Sequence, residues 1–168
     1  STPPGVSGIA IIRLSGPNSL TITKDIIHGT IDKPRMALLK TFYDSKKEII
    51  DEGIVVWYPK GQSYTGDDLI EFHVHGSKAV ISKFLNELSL RSDCQLAEAG
   101  EFTKQAFLNN KIDLVQAEAI ADLINASHIS ASKAAMITLQ GNFSKNIGLP
   151  PIFLNALTGE FTPPGIKS

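Results

Sequence analysis

The chain has 168 residues, of which 42% are hydrophobic and 20% are charged, and its net charge is −1. This length is enough for one domain with a sizeable core, and the absence of a basic excess argues against tight direct binding of RNA by this chain alone. The single cysteine, Cys94, excludes an internal disulfide and a multi-cysteine zinc site, and no apolar run is long enough to cross a membrane. We therefore expect a soluble protein of a reducing compartment.

The hydrophobic periodicity predicts a mixed succession of strands and helices. Strands are predicted at residues 9–14, 36–42, 54–58, 68–75 and 94–97. Helices are predicted at residues 19–27, 77–88, 101–108, 113–124 and 127–147. Gly29 is the expected terminator of the first helix, Ser77 the expected cap of the second, and Asp113 with Gln116 has the spacing of a capping box.

The stretch at residues 63–75 combines a turn, a strand and several ionisable groups. Its residues alternate between two faces: Ile70, Phe72 and Val74 on one, and Glu71, His73 and His75 on the other. The pattern fits a half-buried strand with a solvated outer face as well as it fits a strand whose ionisable face has a function. Two imidazoles and a carboxylate could form the zinc site of a hydrolase, but residues two apart on a strand are about 7 Å apart and would have to converge. The pattern favours Glu71 as a hydrogen-bond acceptor for a polar ligand.

Two other residues invite a chemical interpretation. Arg13 interrupts a buried strand, so it must reach solvent, pair with a carboxylate or meet an anionic ligand. Cys94 has no motif around it, which favours a structural role over a nucleophilic one. The 168 residues contain neither a G-x-x-x-x-G-K-[ST] loop nor a G-x-S-x-G elbow, so we expect no nucleotide hydrolysis or other catalysis by this chain alone.

Seven ordered blocks of sequence together form a specific pattern. They are PPG at 3–5, IIRLSGP at 11–17, SYTGDD at 63–68, EFHVHG at 71–76, AEAGEFT at 97–103, AFLN at 106–109 and KIDLVQAEA at 111–119. In this order they resemble the N-terminal part of the tRNA-modifying GTPases called MnmE or TrmE.

The resemblance implies a fold and a ligand. It implies an α/β sheet-plus-helix domain at residues 1–112 that dimerises and binds folate, followed by the first helices of a helical domain at 113–147. The proline pairs at 150–151 and 163–164, rather than the resemblance, predict an irregular tail at 148–168. The ligand would be 5-formyl-tetrahydrofolate or a related tetrahydrofolate, and the folate-contacting arginine, glutamate and lysine of the family fall on Arg13, Glu71 and Lys111. A reduced pterin has an amide-like donor edge that suits a carboxylate, whereas the two cations suit its oxygen atoms.

The resemblance also implies partners that act with the whole protein. In the family a GTPase domain is inserted in the helical domain, and GTP, magnesium and potassium would be bound only there. The full protein, with a flavoprotein partner, modifies carbon 5 of the wobble uridine in tRNA. We expect a mitochondrial member, with a bacterial cytoplasmic one as the alternative.

The chain departs from the family at three places. Many members have PPGRGG where this chain has Val6 and Ser7, which removes a cation and a glycine near the expected pocket. Many also have HGG where this chain has Ser77 as the third residue. The third departure is the region after residue 144, where the family's continuation into the GTPase domain is replaced by a proline-rich sequence; this suggests a fragment, a truncated product or an unusual gene model. A structural dimerisation module without a ligand is therefore the alternative function.

Overall fold

The computed structural model describes residues 7–140, and the chain divides into two compact units, Ser1–Gln105 and Ala106–Ser168. The elements are β1 (Ser7–Ser15), α1 (Ser19–Ile27), β2 (Leu38–Tyr43), β3 (Ile49–Tyr58), β4 (Leu69–Gly76), α2 (Lys78–Ser89), α3 (Glu101–Leu108), α4 (Leu114–Asn125) and α5 (Ile129–Leu139). The mixed α/β fold expected from the resemblance is thus confirmed. None of the helices within residues 7–140 combines the length and the apolar character needed to cross a membrane.

The four strands form one antiparallel sheet in the order β1-β4-β3-β2. β4 is therefore hydrogen-bonded on both sides, with Arg13 of β1 and Val56 of β3 in register with Glu71. A strand held on both sides has a fixed register, because a shift by one residue would move every core side chain to the opposite face.

One face of the sheet, the inner face, packs against α1 and α2. Its centre is a cluster of three fully buried rings, Phe42, Phe72 and Phe84, whose centroids lie 4.9–5.6 Å apart. Ile70 and Val74 flank Phe72 and are also buried, as the alternation in β4 predicted. The opposite face carries the alternate side chains along each strand and is called the outer face here. It includes Arg13, Glu71, His73, Leu39 and Ile54.

β3 comes unusually close to β4 beside the outer-face residue His73. A Cβ atom at Gly53 would overlap the backbone carbonyl oxygen of His73 and press on the ring of Phe42. The position therefore requires glycine. β3 begins at Ile49, before the predicted start of the strand at residue 54.

Two helix ends differ in detail from the prediction. His28, with a φ of 46°, takes the left-handed position that ends α1, and the N–H of Gly29 donates to the carbonyl of Lys24. Ser77 occupies the cap position of α2 but makes no capping hydrogen bond with its side chain.

The strand predicted at residues 94–97 is wrong. The segment has no regular structure, and its most apolar residue, Leu96, is 71% exposed. Without a buried face, the segment lacks the packing that stabilises a strand.

The described part of the second unit contains the helical pair α4 and α5. The capping box that starts α4 is confirmed: Asp113 Oδ1 accepts the N–H of Gln116, and Gln116 Oε1 accepts the N–H of Asp113. Ala119 and Ala135 are buried, whereas Ile124 and Ile129 are each 78% exposed. The predicted extension of the last helix to residue 147 and the tail at 148–168 lie outside the described residues.

Candidate functional site

Glu71 is the centre of a small polar cluster on the outer face. Its place in the middle of β4 fixes its backbone, and its side chain is only 13% exposed. A carboxylate shielded to this extent needs partners, because desolvating a charge without compensation is costly.

The first partner is Arg13, directly opposite on β1. Its Nε donates to Glu71 Oε1 at 2.9 Å, and its side chain remains 45% exposed. Among the alternatives that the sequence left open for Arg13, the structure therefore selects the pairing with a carboxylate. The other guanidinium nitrogens form no hydrogen bond within residues 7–140 and remain available as donors.

The second oxygen of Glu71 is held much more loosely. The Tyr58 hydroxyl lies 3.4 Å from Oε2, and His73 Nε2 lies 3.5 Å from it. Normal hydrogen bonds to a carboxylate are about 2.5 to 2.9 Å long. Burial, together with the charge of Glu71, raises the pKa of Tyr58, so its hydroxyl stays protonated at neutral pH. Oε2 thus retains capacity to accept a hydrogen bond from a ligand.

His75 belongs to a different pair. Its Nδ1 lies 2.8 Å from Asp51 Oδ1, and its backbone N–H donates to Asp51 Oδ2 at 2.7 Å. The three residues of the predicted row, Glu71, His73 and His75, therefore do not act on one partner: Glu71 pairs with Arg13, and His75 pairs with Asp51. Within residues 7–140, no three His, Cys, Asp or Glu side chains are arranged to hold a metal ion.

Lys111, the third predicted folate residue, lies between α3 and α4 in the second unit. Its backbone N–H donates to the carbonyl of Ala106. Its participation in a site with Arg13 and Glu71 stays a prediction.

Two residues of the site region had no signal in the sequence. Asp51 lies between two predicted strands, where the sequence predicted no element, and Tyr58 was only the last residue of a predicted strand before Pro59. Both reach their partners through strand pairing, which places residues far apart in sequence side by side. An explicit prediction of the register between β3 and β4 could have found Tyr58.

A cleft of about 420 Å³ lies elsewhere in the first unit, where α1 and α2 end near the turn between β2 and β3. Its ionisable lining includes three lysine or arginine side chains and three acidic ones, together with His28: Lys24, Lys47 and Arg91, and Asp25, Asp44 and Glu87. Arg91 is already paired with Asp25 at 2.9 Å. This balance selects no ligand class, and we assign the cleft no function.

Sequence comparisons decide the family. Residues 1–111 match the family model described as GTP-binding protein TrmE N-terminus. The chain belongs to this family. A protein named tRNA modification GTPase MnmE from Coxiella burnetii (strain Dugway 5J108-111) is 48% identical over 147 residues, which cover 88% of this chain and 32% of that protein.

Other relatives of the TrmE family give the same result. The protein of that name from Legionella pneumophila (strain Corby) is 44% identical over 147 residues, covering 88% of this chain and 33% of the relative. The protein of that name from Dichelobacter nodosus is 48% identical over 147 residues, which cover 88% of this chain and 32% of the relative. The chain spans about a third of the length of these relatives.

The pair of Asp51 and His75 makes a prediction for stability against pH. Burial alone would raise the pKa of Asp51, but the hydrogen bonds from His75 outweigh it and hold the pKa below the ordinary value of 3.8. Because the pKa of Asp51 is lowered in the folded state, its bonds with His75 stabilise the fold fully only above the ordinary value of 3.8. This stabilisation is lost as the pH falls through the folded-state pKa. Asp51→Asn should therefore lower the free energy of unfolding at about pH 7 and much less at about pH 3.

Denaturant unfolding at both pH values measures this difference, with the exposed Asp32→Asn as the matched control. An Asp51→Asn effect of equal size at both pH values would contradict the assignment.

Proposed function

We propose that this domain binds a reduced folate, 5-formyl-tetrahydrofolate or a related tetrahydrofolate, on the outer face of its sheet. In the whole protein it would form the dimerising N-terminal part of a GTPase that modifies carbon 5 of the wobble uridine in tRNA. The observation that carries the proposal is the half-satisfied carboxylate of Glu71.

Glu71 fits a donor-bearing heterocycle. Arg13 fixes Oε1 at 2.9 Å and thereby orients the carboxylate plane, while Oε2 has only distant neighbours. The amide-like edge of a reduced pterin carries N–H donors, and a carboxylate accepts such donors strongly because the bonds are charge-assisted. The residues present therefore fit the pterin end of a folate.

The cations would serve the oxygen atoms of the ligand. Arg13 is half-exposed, and its guanidinium nitrogens other than Nε remain available within the described part of the chain. A contact of Lys111 with the ligand stays a prediction from the family resemblance. When bound, the folate supplies a one-carbon unit, while this chain's residues bind and orient it.

The outer face also supports association with a second copy. Leu39 and Ile54 lie opposite each other on β2 and β3 and are 68% and 38% exposed, and Ile9 on β1 is 61% exposed. Burying such side chains between two copies would be favourable, because apolar area removed from water stabilises a complex.

GTP hydrolysis, tRNA and the flavoprotein partner belong to the proposal for the whole protein. The net charge of −1 gives this chain no excess of basic residues for tRNA, so the proposal places tRNA binding in the complete assembly. The mitochondrial location stays a prediction.

Two alternatives make different predictions for the same protein. A structural module that has lost its ligand would form dimers without binding folate. A metal-dependent hydrolase using Glu71, His73 and His75 would contain stoichiometric zinc by elemental analysis, although His75 is already bonded to Asp51.

Removing either member of the central pair should weaken folate binding. We expect Glu71→Gln and Arg13→Ala each to cost about 1 to 3 kcal/mol, roughly five- to 150-fold in Kd, because each change leaves a polar partner unpaired. Titration calorimetry with 5-formyl-tetrahydrofolate measures the change.

Glu52→Gln is the matched control, since Glu52 is an exposed carboxylate of β3. It should bind like the wild type. Failure of the dimeric wild-type protein to bind any reduced folate would refute the proposal and favour the structural module.

A charge in the apolar part of the outer face should weaken the dimer. Leu39→Lys and Ile54→Lys would each place a cation against the same surface of the second copy, where burying it is costly. We expect at least a tenfold increase in the dimer dissociation constant, measured by sedimentation equilibrium. Leu90→Lys is the control, because Leu90 is 74% exposed at the end of α2; an equal loss in this variant would show that the outer face is not the interface.

A further inference from the structure

His73 carries an unexplained buried polar atom. Its Nε2 is buried and has no hydrogen-bond partner in the described part of the chain. Glu71 Oε2 lies 3.5 Å away, which exceeds the length of a normal hydrogen bond. Buried polar groups without partners are uncommon in native proteins, and they often belong to functional sites.

The backbone of His73 cannot move to close this gap. The residue lies in the middle of β4, paired with Ile11 on one side and Ile54 on the other. Gly53 also contacts its carbonyl group so closely that no Cβ would fit there. The part able to move is the side chain of Glu71, which has three rotatable bonds and a firm partner only at Oε1.

We infer that His73 is a positioning residue for Glu71. When the carboxylate moves to accept an N–H donor of the bound ligand, His73 Nε2–H donates a hydrogen bond to Glu71 Oε2. This inference rests on the proposed function, because it assigns His73 a part in the same site. Arg13 would hold one oxygen and His73 the other, so the carboxylate would present its remaining lone pairs in one fixed plane.

The other groups facing Oε2 are compatible with this role. Tyr58 from β3 lies 3.4 Å from the same oxygen, which is longer than a normal hydrogen bond to a carboxylate, so it leaves the second lone pair of Oε2 to the ligand. Arg13 from β1 bonds to Oε1 and does not compete for Oε2. With its donors arranged around it, Glu71 would select ligands that offer N–H groups and reject those that offer only acceptors.

The test is a double-mutant cycle in calorimetric titrations with 5-formyl-tetrahydrofolate. His73→Leu should raise Kd about tenfold, the value of one hydrogen bond to a charged group. His73→Gln should stay within about twofold of the wild type, because its amide nitrogen can take the place of Nε2 as a donor. In the Glu71→Gln background, His73→Leu should have little further effect, since contacting residues that act together are not additive.

His75→Gln is the matched control, since His75 is an exposed histidine on the same strand. It should not change Kd. Thermal unfolding of every variant monitors the fold.

A second measurement needs no variant and covers the case in which His73→Leu does not fold. Nitrogen-15 spectra of the histidine rings should show the Nε2–H proton of His73 becoming more strongly hydrogen-bonded and slower to exchange when the folate is added. An unchanged His73 signal at saturating ligand would overturn the inference.

The outcomes distinguish the positioning role of His73 from the proposed folate site. One result would contradict only the positioning role: Glu71→Gln weakens folate binding, but His73→Leu raises Kd by the same factor with Glu71 and with Gln at that position. A His73→Gln effect on Kd as large as that of His73→Leu would contradict it too. In both cases the proposed folate site would remain. If Glu71→Gln and Arg13→Ala leave Kd unchanged, the proposed function fails, and the role of His73 fails with it.

Discussion

The ion pair between Arg13 and Glu71 is the interaction on which the candidate site depends. It joins two residues on neighbouring strands that are 58 positions apart in the sequence, and it orients a largely shielded carboxylate. Without Arg13, the carboxylate would lose its one short hydrogen bond, and a poorly solvated charge would remain. Without Glu71, Arg13 would lose the carboxylate with which it pairs.

The inner face of the sheet determines whether this pair forms. Phe72 is buried against Phe42 and Phe84, and the side chains next to it in β4 must therefore point to the outer face. A slip of one residue between β1 and β4 would expose Phe72 or Ile12 and separate Arg13 from Glu71. The aromatic cluster thus fixes the register, and the register places the functional carboxylate beside its arginine.

Sequence patterns predicted what is local and missed what depends on strand pairing. The alternation in β4 and the capping box of α4 are short-range patterns, and both are confirmed. The contact of Glu71 with Tyr58 and the separate pair of His75 with Asp51 arise across strands, where no spacing rule applies. The strand predicted at residues 94–97 was wrong because short apolar runs are ambiguous without a partner strand. Arg13 and Glu71 were linked beforehand only by resemblance to a family.

A crystal structure of the chain with 5-formyl-tetrahydrofolate tests the central claim most directly. The account predicts the donor edge of the pterin within hydrogen-bond distance of Glu71, with Arg13 still on Oε1 and His73 Nε2 drawn to within about 3 Å of Oε2. Ligand density at another place, such as the cleft between the ends of α1 and α2, with the Glu71 cluster unchanged, would contradict it.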